Sequence, residues 1–453
     1  MSFPRIELQP TSIIIDREPS LLLKGFDPGA QVQLRSSLID NEGVDWSAEV
    51  TVQVDSQGNL DMASAQPLSG SYSEPGIRGL FWAMSPEMPD GKDAFRRAGK
   101  APEESGVKRG HRMGLPQLSP GASHEVTFTA ICGNVAAEPV SVTRHTIPPK
   151  ISARAIEEGR IRGMLYEPEE AGTYPGVVFI SGSGGGIYRE DAAVLASHGF
   201  SVFALAYFNY ADLSRHQIEV PLEYFEEAFS WFREYLGHDR IGMTGPSKGG
   251  EGTLVVASSF PDLVKAAVPC VPGDLYLCAV DENQTPRAAW TLGGEALPWA
   301  GTPEDWSLVP PEYMAPNDLQ LFNARLNLEP FYARDDVYER AAIPVEHMRC
   351  PVLMIWGEDD DAWPSKLAVT RLLKRFKTHD YAHPVESLTV AGAGHMFTFP
   401  GFPTTLSESI LHPLLPINMT MGGTPSAIAQ LQRDGWKRMI DFFREHLGVD
   451  PHS

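Results

Sequence analysis

The stretch "MTGPSKGGEG" sets Ser247 in a Gly-x-Ser-x-Gly pattern, Gly245-Pro246-Ser247-Lys248-Gly249, between an apolar run and a helical one. A serine hydroxyl becomes a nucleophile only with a base beside it and a carboxylate that orients the base. The pattern has a steric reason: a sharp strand-to-helix turn strains the serine backbone and tolerates only small neighbours. Such a turn leaves Oγ above the strand end, with the positive pole of the following helix beneath it. Acid and then histidine must follow at later strand ends. "IWGEDDDAWPS" offers Asp359, Asp360 and Asp361 after one apolar run, and "VAGAGHMF" offers His395 after the last one. Adjacent carboxylates cannot all be buried, so a single one is expected on His395. Asp360, three residues past Gly357, is preferred, with Asp359 as the alternative. His379 and His383 lie before the last strand and are not so placed.

The tetrahedral oxyanion needs two backbone donors. The Lys248 N–H is one candidate, and the turn Gly182-Ser183-Gly184-Gly185-Gly186 supplies Gly184 and Gly185 as the others. A dinucleotide fingerprint starting at Gly182 would require glycine at 187 and finds Ile187. No P-loop and no His-Glu-x-x-His occurs, so neither cofactor nor metal is expected. Lys248 and Glu251, in the first turn after the serine, read as solvated or locally paired, and the helix dipole favours Glu251 there.

Two kinds of chain must position these groups. Up to residue 146, short alternating runs ("SIIID", "LLLKGF", "AQVQLRSSLID", "AEVTVQV", "HEVTFTAIC") are separated by Asp, Gly and Pro turns. That rhythm predicts an all-β, immunoglobulin-like sandwich. The polar stretch 88–114 reads as a surface loop. After "TIPPK", near-continuous apolar runs at 176–182, 200–207, 241–245, 266–271, 351–357 and 386–392 alternate with helical segments. They predict an α/β domain with a mostly parallel sheet over 147–453. Leu222, Phe225, Phe229, Phe232 and Leu236 recur at helical spacing, and a C-terminal amphipathic helix stops at Gly448. Segment 279–330 falls between two sheet strands and is expected to form a cap or pocket wall.

The 453 residues, 42% hydrophobic and 21% charged, describe a globular protein of two or three domains. Lys+Arg 37 against Asp+Glu 58 leaves a net charge of -21, which argues against a nucleic-acid partner. It also disfavours polyanionic substrates unless basic residues cluster locally. The four cysteines (Cys132, Cys270, Cys278, Cys350) show no metal spacing, and Cys270 and Cys278 read as buried thiols. With no secretory pattern, no span of roughly 18 apolar residues and no Ser-Lys-Leu ending, a soluble cytoplasmic protein is expected. The sequence does not indicate an oligomeric state.

"GPSKGGE", "GEDDDAW", "GAGHMF", "ALAYFNYADL", "LEYFEEAF", "PGVVFISGSGGG" and "GLFWAMSPE" together resemble the acyl-CoA thioesterase / bile acid-CoA:amino acid N-acyltransferase family over nearly the whole chain. The resemblance implies a β-sandwich followed by an α/β-hydrolase domain, acting in lipid metabolism on fatty acyl-CoA thioesters by hydrolysis or by acyl transfer to glycine or taurine. It puts the nucleophile on Ser247 and the base on His395. In the family's Gly-x-Asp-Asp-x-x-Trp pattern the acid is the second aspartate, here Asp360, with Gly357 and Trp363 matching. The conjugating branch carries cysteine where this chain has Ser247, which favours hydrolysis. Segment 279–330 resembles the family only at "GGEALPW", and "MFTFPGFPTT" after His395 departs from it. An ester or lactone hydrolase of the dienelactone-hydrolase type, and a non-catalytic protein on a hydrolase scaffold, are the competing expectations.

Overall fold

The computed structural model describes residues 3–41, 43–86, 123–283, 285–314, 321–405, 409–411 and 418–448. The polar stretch 88–114, expected as a loop, lies outside the described residues.

The first part of the chain is β apart from the four-residue helix Gly79–Trp82. Arg5–Gln9, Ser20–Lys24 and Leu60–Asp61 form one antiparallel sheet. Gln31–Ile39, Asp45–Gln53, Ser123–Cys132 and Val140–His145 form the body of the other, with Ser12–Ile14 added in parallel at its edge. Alternation at period two turns one side of each strand inward. Ile6, Leu8, Leu21 and Leu23 from the first sheet meet Val32, Leu34, Val50, Val52 and Phe128 from the second in a core of their own. This is the expected sandwich.

The second part is built on eight strands: β1 (Ile151–Glu158), β2 (Ile161–Pro168), β3 (Gly176–Ile180), β4 (Ser201–Ala206), β5 (Ile241–Pro246), β6 (Ala266–Cys270), β7 (Val352–Gly357) and β8 (Val385–Val390). Their order is β1-β2-β4-β3-β5-β6-β7-β8. β3 to β8 pair in parallel, while β2 runs antiparallel to both β1 and β4. This is the α/β-hydrolase sheet. Strands β3 to β7 are buried along their whole length, as apolar runs covered on both faces must be. One hairpin was not singled out by the sequence, and one expectation needs correction. The β1–β2 hairpin carries no apolar run on β1, whose residues are mostly exposed at the sheet edge, so nothing in its composition announced a strand. β8 is the opposite edge and only half-buried rather than covered on both sides.

Helices α1 (Arg189–Ala196), α2 (Glu223–Leu236), α3 (Lys248–Ser259), α4 (Ser365–Thr378) and α5 (Pro425–Leu447) cover the sheet. On α2 the apolar stripe Phe225, Phe229 and Phe232 is buried, and Gly237 ends the helix in the left-handed conformation at φ 70°. α5 stops in the same way at Gly448, φ 72°. Between β6 and β7 the chain leaves the sheet to form short strands at 279–296 and helices Pro303–Trp306 and Ala324–Tyr332, with a buried cluster around Leu277, Phe331 and Tyr332.

The segment after His395 is also packed, which accounts for its unusual composition. Phe397, Phe399 and Phe402 are buried, and Phe399 meets Trp436 of α5 edge-on at 6.0 Å. Thr404 N–H donates to the Trp82 carbonyl (2.9 Å) and Thr405 Oγ1 to that of Met84 (2.6 Å). These bonds clamp the segment onto the sandwich. Among the described residues no helix is long and apolar enough to cross a membrane.

Phe229 is 1% exposed within the main sheet core. Phe229→Ala is expected to cost about 3–5 kcal/mol of unfolding free energy in a urea titration. A loss below about 1 kcal/mol would mean that the α2 stripe does not hold this face.

Candidate active site

β5 runs into α3 through a single residue, Ser247, held at φ 60° and ψ −121°. A non-glycine residue at positive φ is strained and persists only when its surroundings over-determine it. The neighbours explain the motif. A Cβ at Gly245 would sit 2.7 Å from the Ile180 carbonyl oxygen, and one at Gly249 would sit 2.7 Å from that of Ser181. The Ser247 N–H donates to the Cys270 carbonyl (2.9 Å), and the Ser247 carbonyl accepts from Glu251 N–H (3.0 Å). β3 and β6, flanking β5, thus fix the elbow from both sides.

β7 and its loop present the carboxylates and sort them. Asp360 is 3% exposed. Its Oδ1 accepts from the Ala362 N–H (2.8 Å) and Trp363 N–H (2.9 Å), and its Oδ2 from Ser365 Oγ (2.5 Å). Oδ2 also lies 2.7 Å from His395 Nδ1. Asp361 faces Arg325 at 3.2 Å, and Asp359 is exposed. The alternative acid is therefore not the one brought to the histidine. His395, after β8, is 5% exposed, donates its N–H to the Met421 carbonyl (2.8 Å), and lies parallel to the Trp363 ring at 6.4 Å. His379 is exposed just after α4, and His383 is half-buried against the Tyr381 ring. Ser247, Asp360 and His395 thus all follow the C-terminal ends of strands in one half of the sheet.

The glycine turn is only partly as expected. The Gly185 N–H is spent on the Gly182 carbonyl (3.0 Å), so Gly185 is not a free oxyanion donor. The Gly184 carbonyl accepts from Asn209 Nδ2 (2.8 Å). Gly182, which the spacing did not single out, is the turn residue pressed on the nucleophile: a Cβ there would lie 3.4 Å from Ser247 Cβ.

Lys248 and Glu251 are not solvated. They are 4% and 0% exposed and form an ion pair at 2.8 Å. Lys248 Nζ also donates to the Leu277 carbonyl (2.5 Å), and Glu251 Oε1 accepts from Trp290 Nε1 (2.8 Å). Burial pushes the Glu251 carboxyl upward, and Lys248 opposes it. Leu277 and Trp290 belong to the chain between β6 and β7, so this pair binds that insertion to the nucleophile helix. Only burial distinguishes it from a solvated first-turn pair, and sequence spacing carries no burial.

Asp274, four residues past β6, is 1% exposed, and among the described residues neither carboxylate oxygen has a hydrogen-bond partner. Its nearest cation is Arg371 at 3.9 Å. Burial pushes this carboxyl up to about 6, with Tyr332 and Arg371 opposing.

Residues 220–449 match the family described as BAAT / Acyl-CoA thioester hydrolase C terminal, and residues 16–105 its N-terminal region. The chain belongs to the acyl-CoA thioester hydrolase/BAAT family. Rat acyl-coenzyme A thioesterase 1 is 30% identical over 99% of this chain and 98% of its own. The mouse protein of that name is 31% identical over 98% and 97%. Human acyl-coenzyme A thioesterase 2, mitochondrial, is 31% identical over 96% and 82%. This member of a hydrolase family keeps the expected serine elbow and the buried Asp360–His395 pair.

Two measurements test the buried charges. A carboxyl whose folded pKa is raised contributes stability that is fully present below its unfolded pKa and is lost as pH rises through the folded value. For Asp274 that window runs from 3.8 to about 6. Asp274→Asn should therefore gain stability over the parent as pH rises through that window, by up to about 3 kcal/mol. Urea midpoints that differ equally at about pH 4 and about pH 7.5 would contradict it. Lys248→Met strands Glu251 and should cost about 3–5 kcal/mol, while Lys248→Met with Glu251→Leu should recover part of that loss. If the double variant is no more stable than the single one, the pair is not the reason for the loss.

Proposed function

We propose that this chain hydrolyses acyl thioesters, with acyl-CoA as the foremost substrate, through an acyl-serine intermediate. The observation that carries the reading is the 2.7 Å contact between Asp360 Oδ2 and His395 Nδ1. An aspartate already holding three other donors orients the imidazole with Nδ1–H toward it, which leaves Nε2 as the base. In this reading His395 takes the Ser247 proton as Oγ attacks the carbonyl carbon. The Lys248 N–H and the Gly184 N–H receive the oxyanion. The protonated His395 gives its proton to the leaving thiolate, and the thiol departs. His395 then takes a proton from water, hydroxide attacks the acyl carbon, and the acid is released with Ser247 restored.

The relatives' names support the thioester, and serine as nucleophile favours water as the acceptor over an amino acid. The division at 146/147 assigns the sandwich to one domain and the sheet with its insertion, 279–330 as pocket wall, to the other. We assign the protein to the cytoplasm, supported by its four unpaired cysteines.

Ser247→Ala should lower kcat for an acyl-CoA by about 10³-fold or more, and Asp360→Asn by about 10⁴-fold, with little change in KM. Wild-type turnover in Ser247→Ala would sink the mechanism. Matched oxygen esters cleaved far faster than thioesters would move the substrate class to esters. Amide formation when glycine or taurine is added would move the reaction to acyl transfer.

A further inference from the structure

Trp290, 1% exposed, is the bulkiest fully buried side chain among the described residues, and the mechanism above does not use it. It belongs to the insertion between β6 and β7. Its strand, Trp290–Leu292, pairs in parallel with Val220–Pro221, directly before α2. The Val220 N–H donates to the Ala289 carbonyl (2.8 Å) and the Leu222 N–H to that of Thr291 (2.9 Å). The indole is therefore carried on a backbone held at both of its neighbours.

This one side chain reaches both sides of the nucleophile. On the first side, Nε1–H donates to Glu251 Oε1 (2.8 Å). Both carboxylate oxygens of Glu251 accept from Lys248 Nζ (2.8 Å each), and the Leu277 carbonyl accepts from it too (2.5 Å). An ammonium has three protons to give, and all three are placed. The indole also presses on the nucleophile helix itself, since a Cβ at Gly252 would lie 3.3 Å from its ring. On the second side, the ring stacks on Tyr207, with centroids 5.8 Å and planes 12° apart. Tyr207 O–H donates to the Ser181 carbonyl (2.9 Å). The next two residues hold the same turn: the Phe208 carbonyl accepts from Gly186 N–H (2.9 Å), and Asn209 Nδ2 donates to the Gly184 carbonyl (2.8 Å).

The two backbone donors assigned above to the oxyanion, Lys248 N–H and Gly184 N–H, thus sit on separate pieces of chain. The β3–β5 ladder ends at Phe179 and Thr244, before either donor, so it does not by itself set their separation. Such donors act only when fixed in advance, and a misplacement of about 1 Å can cost about 10²-fold in rate. We propose that Trp290 is a positioning residue of the oxyanion hole, holding Lys248 through Glu251 and the glycine turn through Tyr207. The insertion then sets the distance between the two donors as well as walling the pocket. This role presupposes the acyl-serine mechanism above.

The test compares the parent with Trp290→Phe, which keeps a ring on Tyr207 but removes the N–H, and with Tyr207→Phe, which removes only the O–H to Ser181. Each is assayed well below its own unfolding midpoint. One readout is steady-state hydrolysis of an acyl-CoA. The other is labelling of Ser247 by a fluorophosphonate, whose phosphoryl oxygen occupies the oxyanion hole as the adduct forms. Both variants should lower kcat about tenfold or more at unchanged KM, and lower the maximal labelling rate similarly at an unchanged half-saturating probe concentration. A ring that only fills the core leaves both maximal rates intact in folded molecules, so parental rates in either variant would overturn the proposal. A raised KM at parental kcat would also overturn it, by moving Trp290 into substrate binding. A parent that is labelled but leaves acyl-CoA intact removes the thioester reading alone, and the labelling rates of the two variants still decide the role of Trp290.

Discussion

A carboxylate removed from water must have its lone pairs filled, and around Asp360 that requirement organises the catalytic half. Two amides of its own loop, the hydroxyl that opens α4 and the imidazole of His395 converge on it. Each is delivered by a different piece of backbone. Moving any of them leaves a buried charge short of a donor, which is far costlier than the hydrogen bond it replaces. The β7 loop, the start of α4 and the segment after β8 are therefore locked together, and His395 has one place to be. The neighbouring Asp361 extends the lock to Arg325 of the insertion, so the three adjacent carboxylates play three different parts.

The nucleophile side depends on the same logic with opposite charges. Lys248 and Glu251 are paired inside the protein, directly after the strained Ser247, and their remaining hydrogen bonds go to Leu277 and Trp290. Burying two charges contributes little net stability, because desolvation offsets the attraction. It does fix partners, since neither charge tolerates the loss of the other. The insertion is thereby seated against the helix that carries the serine. The sandwich takes hold from the other side through the aromatic segment after His395, with Arg144 bridging Ile15 and Gly401.

Much of the architecture was legible because its causes are local. Apolar runs at β3 to β7 are what a strand covered on both faces must look like, and the stripe on α2 and the glycines after α2 and α5 mark helices with stops. The elbow was legible for a steric reason that acts within five residues. β1 was not, because an exposed edge strand has no run to show, and neither was the engagement of the Gly185 amide, which depends on how a turn closes.

The chain by itself therefore determined the succession of buried strands and their helices, the strained serine and the candidate acid and base, each written in neighbouring residues. Tertiary structure decided which of the three adjacent aspartates is dry and whether Lys248 and Glu251 meet water. The difference has one physical cause: the energy of a charge is set by what surrounds it in space, and those surroundings are assembled from residues hundreds of positions apart.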